Sequence, residues 1–207
     1  MFITLEGPEG SGKSSQLPAL AEYLRQQGRV VLTTREPGGT SIGEQVRQVI
    51  MSLSNTSMNP RSEILLFCAA RAQLVEEVIR PALGRGEIVL SDRYADATLA
   101  YQGYGHGYPL SMLRQLLNFA TGGLWPDLTL LMDLPSEEGL RRKRNTGGEW
   151  NRLDAYELAF HQRVRNGYLE LARQEPRRWC IVDATLPPEM VQLTLRQAVM
   201  ERLSASN

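Results

Sequence analysis

MFITLEGPEGSGKSSQLPALAEYLRQQG, residues 1–28, holds a strand, a loop and a helix in that order. It opens on a short apolar run, MFITLE, with little polar alternation, which is how a strand covered on both faces reads. GPEGSGKS (7–14) follows, and then Leu17, Leu20, Ala21 and Leu24 recur at helical spacing until Gly28 stops the pattern. Gly7, Gly12, Lys13 and Ser14 fill the order glycine, four residues, glycine, lysine, and serine or threonine. Glycines let a backbone curl so that N–H groups point at phosphate oxygens, at the positive end of the next helix. The whole loop (Gly7, Pro8, Glu9, Gly10, Ser11, Gly12, Lys13 and Ser14) is therefore the candidate phosphate cradle. Lys13 is placed to reach β- and γ-phosphates, and the Ser14 hydroxyl to ligate Mg²⁺. A plain glycine turn would not need strand, loop and helix in this order. The segment points to a nucleoside triphosphate.

Four more apolar runs resemble the first: VVLTTREP (30–37), EIVLSDRY (87–94), LTLLMDLP (128–135) and WCIVDAT (179–185). Helical stretches separate them, including a long one over 59–83 that Pro81 is expected to end, one from Ser136 interrupted near Gly147–Gly148, and two more towards the C-terminus. Strands alternating with helices predict an α/β fold with a mostly parallel sheet between helical layers. One domain over 1–207 is the economical reading, with a mobile insert at about 139–152; two small domains are the alternative.

Composition narrows the class. Apolar residues are 42% and charged residues 22%, ordinary for a globular chain, and 23 bases balance 23 acids. No global positive field then argues for nucleic acid or a membrane surface, so neither partner is expected. No apolar run approaches the ~20 residues that span a bilayer, and MFITLEGPEG does not read as a secretion signal. Cys68 and Cys180 have no metal or disulfide spacing, which fits a cytoplasmic protein with reduced thiols.

Many functions share a phosphate loop. Two further motifs, TTREPGGT (33–40) and SDRYADATLAYQG (91–103), fall at strand ends, where an open α/β sheet places its crevice. Each carries an arginine, Arg35 and Arg93, whose planar fork suits a second phosphate. Asp92 is placed to hold the magnesium through water. A phosphate monoester acceptor is already largely deprotonated at neutral pH, so the site needs cations and fixed dipoles rather than a base. His106 and His161, the only histidines, form no triad or metal pattern.

TREPGGT, DRYADATLAYQG, LLFCAARAQ and GPEGSGKSSQ together resemble thymidylate kinases, from Met1 to about Arg178. The resemblance implies the P-loop nucleoside monophosphate kinase fold, a five-stranded parallel sheet flanked by helices with a short mobile lid, usually as a homodimer. It implies phosphorylation of dTMP to dTDP by ATP with Mg²⁺, in dTTP biosynthesis. It also implies roles for single residues. Phe67 would stack on thymine, although an aromatic on an apolar helix otherwise reads as core. Arg71 would donate to a thymine carbonyl, and Thr98 and Gln102 would read the rest of the base edge. Tyr101 would occupy the space of a ribose 2′-hydroxyl, and Glu9 would contact the acceptor's 3′-hydroxyl.

Some family members carry a catalytic arginine in the loop after the acidic residue; here that position is Gly10. The chain resembles the class that supplies it from the lid, LRRKRNTGGEWNRLD (140–154), where Arg152 matches the lid arginine and Arg144 is the substitute. Arg141 and Lys143 read as a solvated basic face. The chain departs from the family pattern at His106, often arginine, and in NRLD, where aspartate commonly precedes the arginine. DAT (183–185) resembles the turn that borders the adenine. Apolar faces at 40–53 and 59–80 suit a dimer or equally the core. Two rival readings remain: a kinase of another nucleoside monophosphate or of a deoxynucleoside, and a nucleotide-gated switch that transfers nothing.

Overall fold

The computed structural model describes residues 1–145 and 151–205. The chain runs β1 (Phe2–Glu6), α1 (Lys13–Gln26), β2 (Val31–Arg35), α2 (Ser41–Met51) and α3 (Pro60–Leu74). A π-type segment at Val75–Ile79 leads into α4 (Arg80–Gly84). Then come β3 (Ile88–Asp92), α5 (Ala95–Thr98), a second π-type segment at Leu99–Gly105, α6 (Leu110–Thr121), β4 (Leu128–Asp133) and α7 (Ser136–Asn145). A 3₁₀ turn at Arg152–Ala155, α8 (Leu158–Gln174), β5 (Trp179–Asp183) and α9 (Pro188–Ala205) complete it. All five expected strands form, within two residues of the apolar runs.

They make one parallel sheet in the order β2-β3-β1-β4-β5. The chain passes from one side of β1 to the other after β3, which puts a topological switch at the carboxyl end of the central strand. Register fixes the neighbours there: Leu5 and Arg35 both lie opposite Asp92, and Glu6 lies opposite Leu131. Alternation along β1 divides the core. Ile3 and Leu5 pack beneath α1 and α9 with Leu20, Leu130 and Leu195, while Phe2 points the other way, to Leu74, Tyr94, Leu113 and Tyr168. Truncating a fully buried leucine such as Leu20 to alanine costs about 2–5 kcal/mol.

Local chemistry sets the helix starts. Thr40 accepts from Gly43 N–H at 2.9 Å to cap α2, and Asn59 accepts from Arg61 N–H at 2.9 Å to cap α3, with Pro60 at its first position. Pro81 does not end the helical stretch, contrary to the sequence reading. The π-type segment before it has already broken the four-residue bonding ladder, so the ring meets no regular turn and the helix continues to Gly84. The interruption expected near Gly147–Gly148 lies outside the described residues, as does the middle of the expected lid.

Candidate active site

A cleft of about 1190 Å³ opens at the carboxyl ends of β1, β2 and β3. Below α1 the turn after β1 needs three glycines with positive φ, Gly7 (141°), Gly10 (69°) and Gly12 (93°). Gly12 stands at the N-cap of α1 with no side-chain cap, so the first N–H groups of that helix remain available to an anion. Lys13 is buried and folds over the loop, its Nζ donating to Gly7 O at 3.1 Å, Pro8 O at 2.9 Å and Ser11 Oγ at 3.1 Å. Burial and then Arg93 push its ammonium down from 10.5 to about 8. Ser14 is exposed on the cleft wall, and Asp92 lines the same cleft.

Arg93 has the one positive φ (70°) among the described non-glycine residues, a strain of about 1–3 kcal/mol that neighbours must hold in place. They do so at three points: its N–H donates to Leu5 O at 3.0 Å, Ser91 Oγ donates to its carbonyl at 2.7 Å, and the next N–H, of Tyr94, donates to Glu6 at 2.7 Å. Its Nη1 donates to Gly7 O (2.9 Å) and the Tyr168 hydroxyl oxygen (3.0 Å). Nη2 donates to Glu9 (2.8 Å) and the Tyr101 hydroxyl oxygen (3.0 Å). Tyr101 OH in turn donates to Glu9 at 2.8 Å. Burial opposes ionisation of Glu9, but Arg93, Lys13 and Lys143 together hold its carboxyl well below the usual range. Burial and Asp96 push the Glu6 carboxyl up to about 8.

On the wall formed by β2, α2 and α3, Arg35 is 56% exposed and pairs with Glu44 at 3.1 Å. Phe67 is half-buried on that wall rather than in the core, and Thr98 and Gln102 line it too. Arg71 is fully buried. It donates from Nε and Nη2 to Glu36 (2.8 and 2.5 Å), from Nη2 to Tyr94 O (3.0 Å), and from Nη1 to the Thr98 hydroxyl oxygen (3.1 Å). Gln102 Nε2 donates to Glu63 at 2.7 Å.

The lid residues divide differently from the sequence reading. Arg152 does not line the cleft. It is buried with its guanidinium on Glu63, on Ile50 O at 2.9 Å and on the Tyr156 hydroxyl oxygen at 3.0 Å. Arg144 is exposed. Lys143, read as solvated, instead faces inward, 2.6 Å from both Asp154 oxygens and 3.5 Å from Glu9. Arg141 does lie outside, forked onto Glu138. Asn151, standing where aspartate is common, caps the 3₁₀ turn in a reciprocal box with Asp154. His106 sits 3.8 Å from Glu63 and packs against Tyr156 and Phe160. The DAT turn closes on Asp183, and Ala184 O accepts from Arg142 at 2.9 Å. Gly10 packs so closely on Gly139, at the start of α7, that a β-carbon at 10 would overlap the Gly139 carbonyl.

A family model described as thymidylate kinase matches residues 5–194. The chain belongs to the thymidylate kinase family. A thymidylate kinase from Thermomicrobium roseum is 55% identical over 190 residues, 92% of this chain and 90% of that one. Another, from Nitratidesulfovibrio vulgaris, is 51% identical over 211 residues, 99% and 98% of the two chains. The crystal structure of thymidylate kinase from Ehrlichia chaffeensis superposes with a TM-score of 0.77 at 33% identity, covering 96% of this chain and 98% of that one. The five-stranded parallel sheet is the family's fold, and the activity that comes with membership is phosphorylation of dTMP to dTDP with ATP as donor.

The sequence reading missed Glu36, Glu44, Glu63 and Tyr168, each of which holds a named site arginine. Only Glu36 and Glu44 gave a signal, as acids flanking the proline and glycines after Arg35.

Proposed function

We propose that this chain performs its phosphoryl transfer by neutralising two phosphates at once, with Lys13 and Arg93 on either side of the transferred group. The observation that carries this reading is that the two cations share one acceptor: the Gly7 carbonyl takes a bond from Lys13 Nζ and another from Arg93 Nη1. A donor-phosphate ligand and an acceptor-phosphate ligand are thus two hydrogen bonds apart, which a nucleotide switch has no use for. The dTMP phosphate is largely dianionic at neutral pH, so its oxygen attacks without a base. Charge repulsion is the obstacle, and Lys13, Arg35 and Arg93 lower it. Phe67, Thr98 and Gln102 line the wall that takes the base, and Arg71, buried behind them on Glu36 and Thr98, needs a rearrangement to donate to a thymine carbonyl; Tyr101 crowds the sugar C2′, and Glu9 accepts from its 3′-hydroxyl. Arg152 requires a rearrangement away from Glu63 before it meets a phosphate.

No group of three or more His, Cys, Asp and Glu side chains able to hold a metal occurs among the described residues. Mg²⁺ therefore fits as an ion carried by the nucleotide, with the Ser14 hydroxyl as ligand and Asp92 acting through water. When bound it offsets charge on the β- and γ-phosphates.

The homodimer is part of the same proposal. Leu65 on α3, with Met112 and Phe119 on α6, is exposed, Phe119 at 90%, and these helices suit a second copy. The free thiols Cys68 and Cys180 support a cytoplasmic home. No described helix is long and apolar enough to cross a membrane.

ADP release measured with dTMP, dUMP, dCMP and AMP tests the assignment. The missing methyl of dUMP is worth about 1–3 kcal/mol, so dUMP turns over ~10–200-fold less efficiently. Equal turnover of AMP defeats the thymidylate reading, and ADP release that ignores every acceptor favours the switch.

A further inference from the structure

Glu6 ends β1 with no exposed surface, and the chemistry above does not use it. A buried carboxyl is costly unless its oxygens are bonded. Alternation along the strand sends Glu6 to the face of Phe2, where α8 brings Tyr168. Oε1 accepts the Tyr94 N–H at 2.7 Å, and Oε2 accepts the Tyr168 hydroxyl at 2.8 Å. The same phenol oxygen accepts Arg93 Nη1 at 3.0 Å. Whichever of the phenol and the Glu6 carboxyl supplies the hydrogen they share, the phenol oxygen keeps a lone pair turned to the guanidinium. Both oxygens of Glu6 therefore end on Arg93: one through the peptide that follows its left-handed backbone, the other through its side chain. Nη1 is held on Gly7 and Tyr168, and Nη2 on Glu9 and Tyr101, residues that line the cleft with Arg93 itself.

We propose that Glu6 is a positioning residue for the acceptor phosphate, holding the backbone and fork of Arg93 in register through Tyr94 N–H and Tyr168. This rests on the reading of Arg93 as the acceptor-phosphate ligand. A residue that only filled space would leave the two substrates equally affected when changed. A residue that aims Arg93 acts on dTMP selectively.

The test compares Glu6→Gln, Tyr168→Phe, their double variant and Arg93→Ala in steady-state kinetics with both substrates varied. Glu6→Gln and Tyr168→Phe are expected to raise KM for dTMP about tenfold, against the ~10²-fold that a 1 Å misplacement can cost, with KM for ATP within twofold. The double variant is expected to lose no more than the worse single one, because both changes cut the same chain. Tyr168→Phe removes one oxygen from a packed ring, so it keeps the test alive if Glu6→Gln fails to fold. If Arg93→Ala impairs dTMP use while Tyr168→Phe and any folded Glu6→Gln do not, the proposal falls and the acceptor reading stands. Equal losses for ATP and dTMP also overturn it. If Arg93→Ala leaves dTMP kinetics unchanged, the acceptor reading falls and takes the proposal with it.

Discussion

Lys143 and Asp154 form a two-oxygen ion pair at 2.6 Å that ties α7 to the turn before α8. Asp154 is buried, and burial and then Glu9 raise its carboxyl above the ordinary value. Lys143→Ala leaves that buried acid without this ammonium and takes a cation from Glu9. The expected result is a loss of about 1–3 kcal/mol in urea unfolding, together with a lower kcat. Adding Asp154→Asn should restore stability but not the rate. Recovery of both by the double variant would assign Lys143 a purely structural role.

Arg71 and Glu36 make a buried pair whose removal on one side is expensive. Arg71→Ala should cost about 3–5 kcal/mol, because Glu36 is left charged or forced to take a proton in an apolar site. Arg71→Met with Glu36→Leu should regain most of the stability. It should not regain the KM for dTMP if the Arg71 fork also serves the base. Chemical denaturation and dTMP kinetics on the same two proteins separate the effects.

Tyr101 combines a ring and a hydroxyl with different predicted roles. Tyr101→Phe keeps the bulk and loses the bonds to Glu9 and Arg93. Its discrimination between dTMP and the corresponding ribonucleotide should hold, while KM for dTMP rises about fivefold, the worth of ~1 kcal/mol. Tyr101→Ala should relax the sugar preference. Unchanged preference in the alanine variant would remove the steric role.

Lys13 titrates at about 8 in the free protein, below its ordinary 10.5. The cation is present below pH 8 and is lost above it, so kcat/KM for ATP should fall about tenfold per pH unit beyond 8. Bound phosphates favour the charged amine, and the corresponding limb in kcat should move to higher pH. Glu6 also titrates near 8. The limb should therefore survive in Glu6→Gln, and its disappearance there would reassign it. Lys13→Ala should lower turnover by several orders of magnitude at every pH.

Local signals carried much of the molecule. Each strand was a contiguous apolar run, and the phosphate loop was complete in eight residues, so both were legible along the chain. Pro81 misled because a π-type segment upstream altered the ladder it would have broken. Lys143 misled for another reason: its neighbours in sequence are basic, but its partners Glu9 and Asp154 are 134 and 11 residues away. Arg152 matched a motif, yet its position was set by Glu63, 89 residues distant. Glu36 and Arg71 are 35 apart and belong to separate elements. Motifs name the candidate site residues, whereas the acids that restrain them are chosen by topology.

The facing pair Gly10 and Gly139 limits what the phosphate loop of this chain can carry. A side chain at 10 would meet the α7 backbone as well as an unfavourable left-handed φ, and one at 139 would strike the Glu9 carbonyl. An arginine in the loop is thus not one codon change away from this chain; the helix carrying Lys143 would have to back off first.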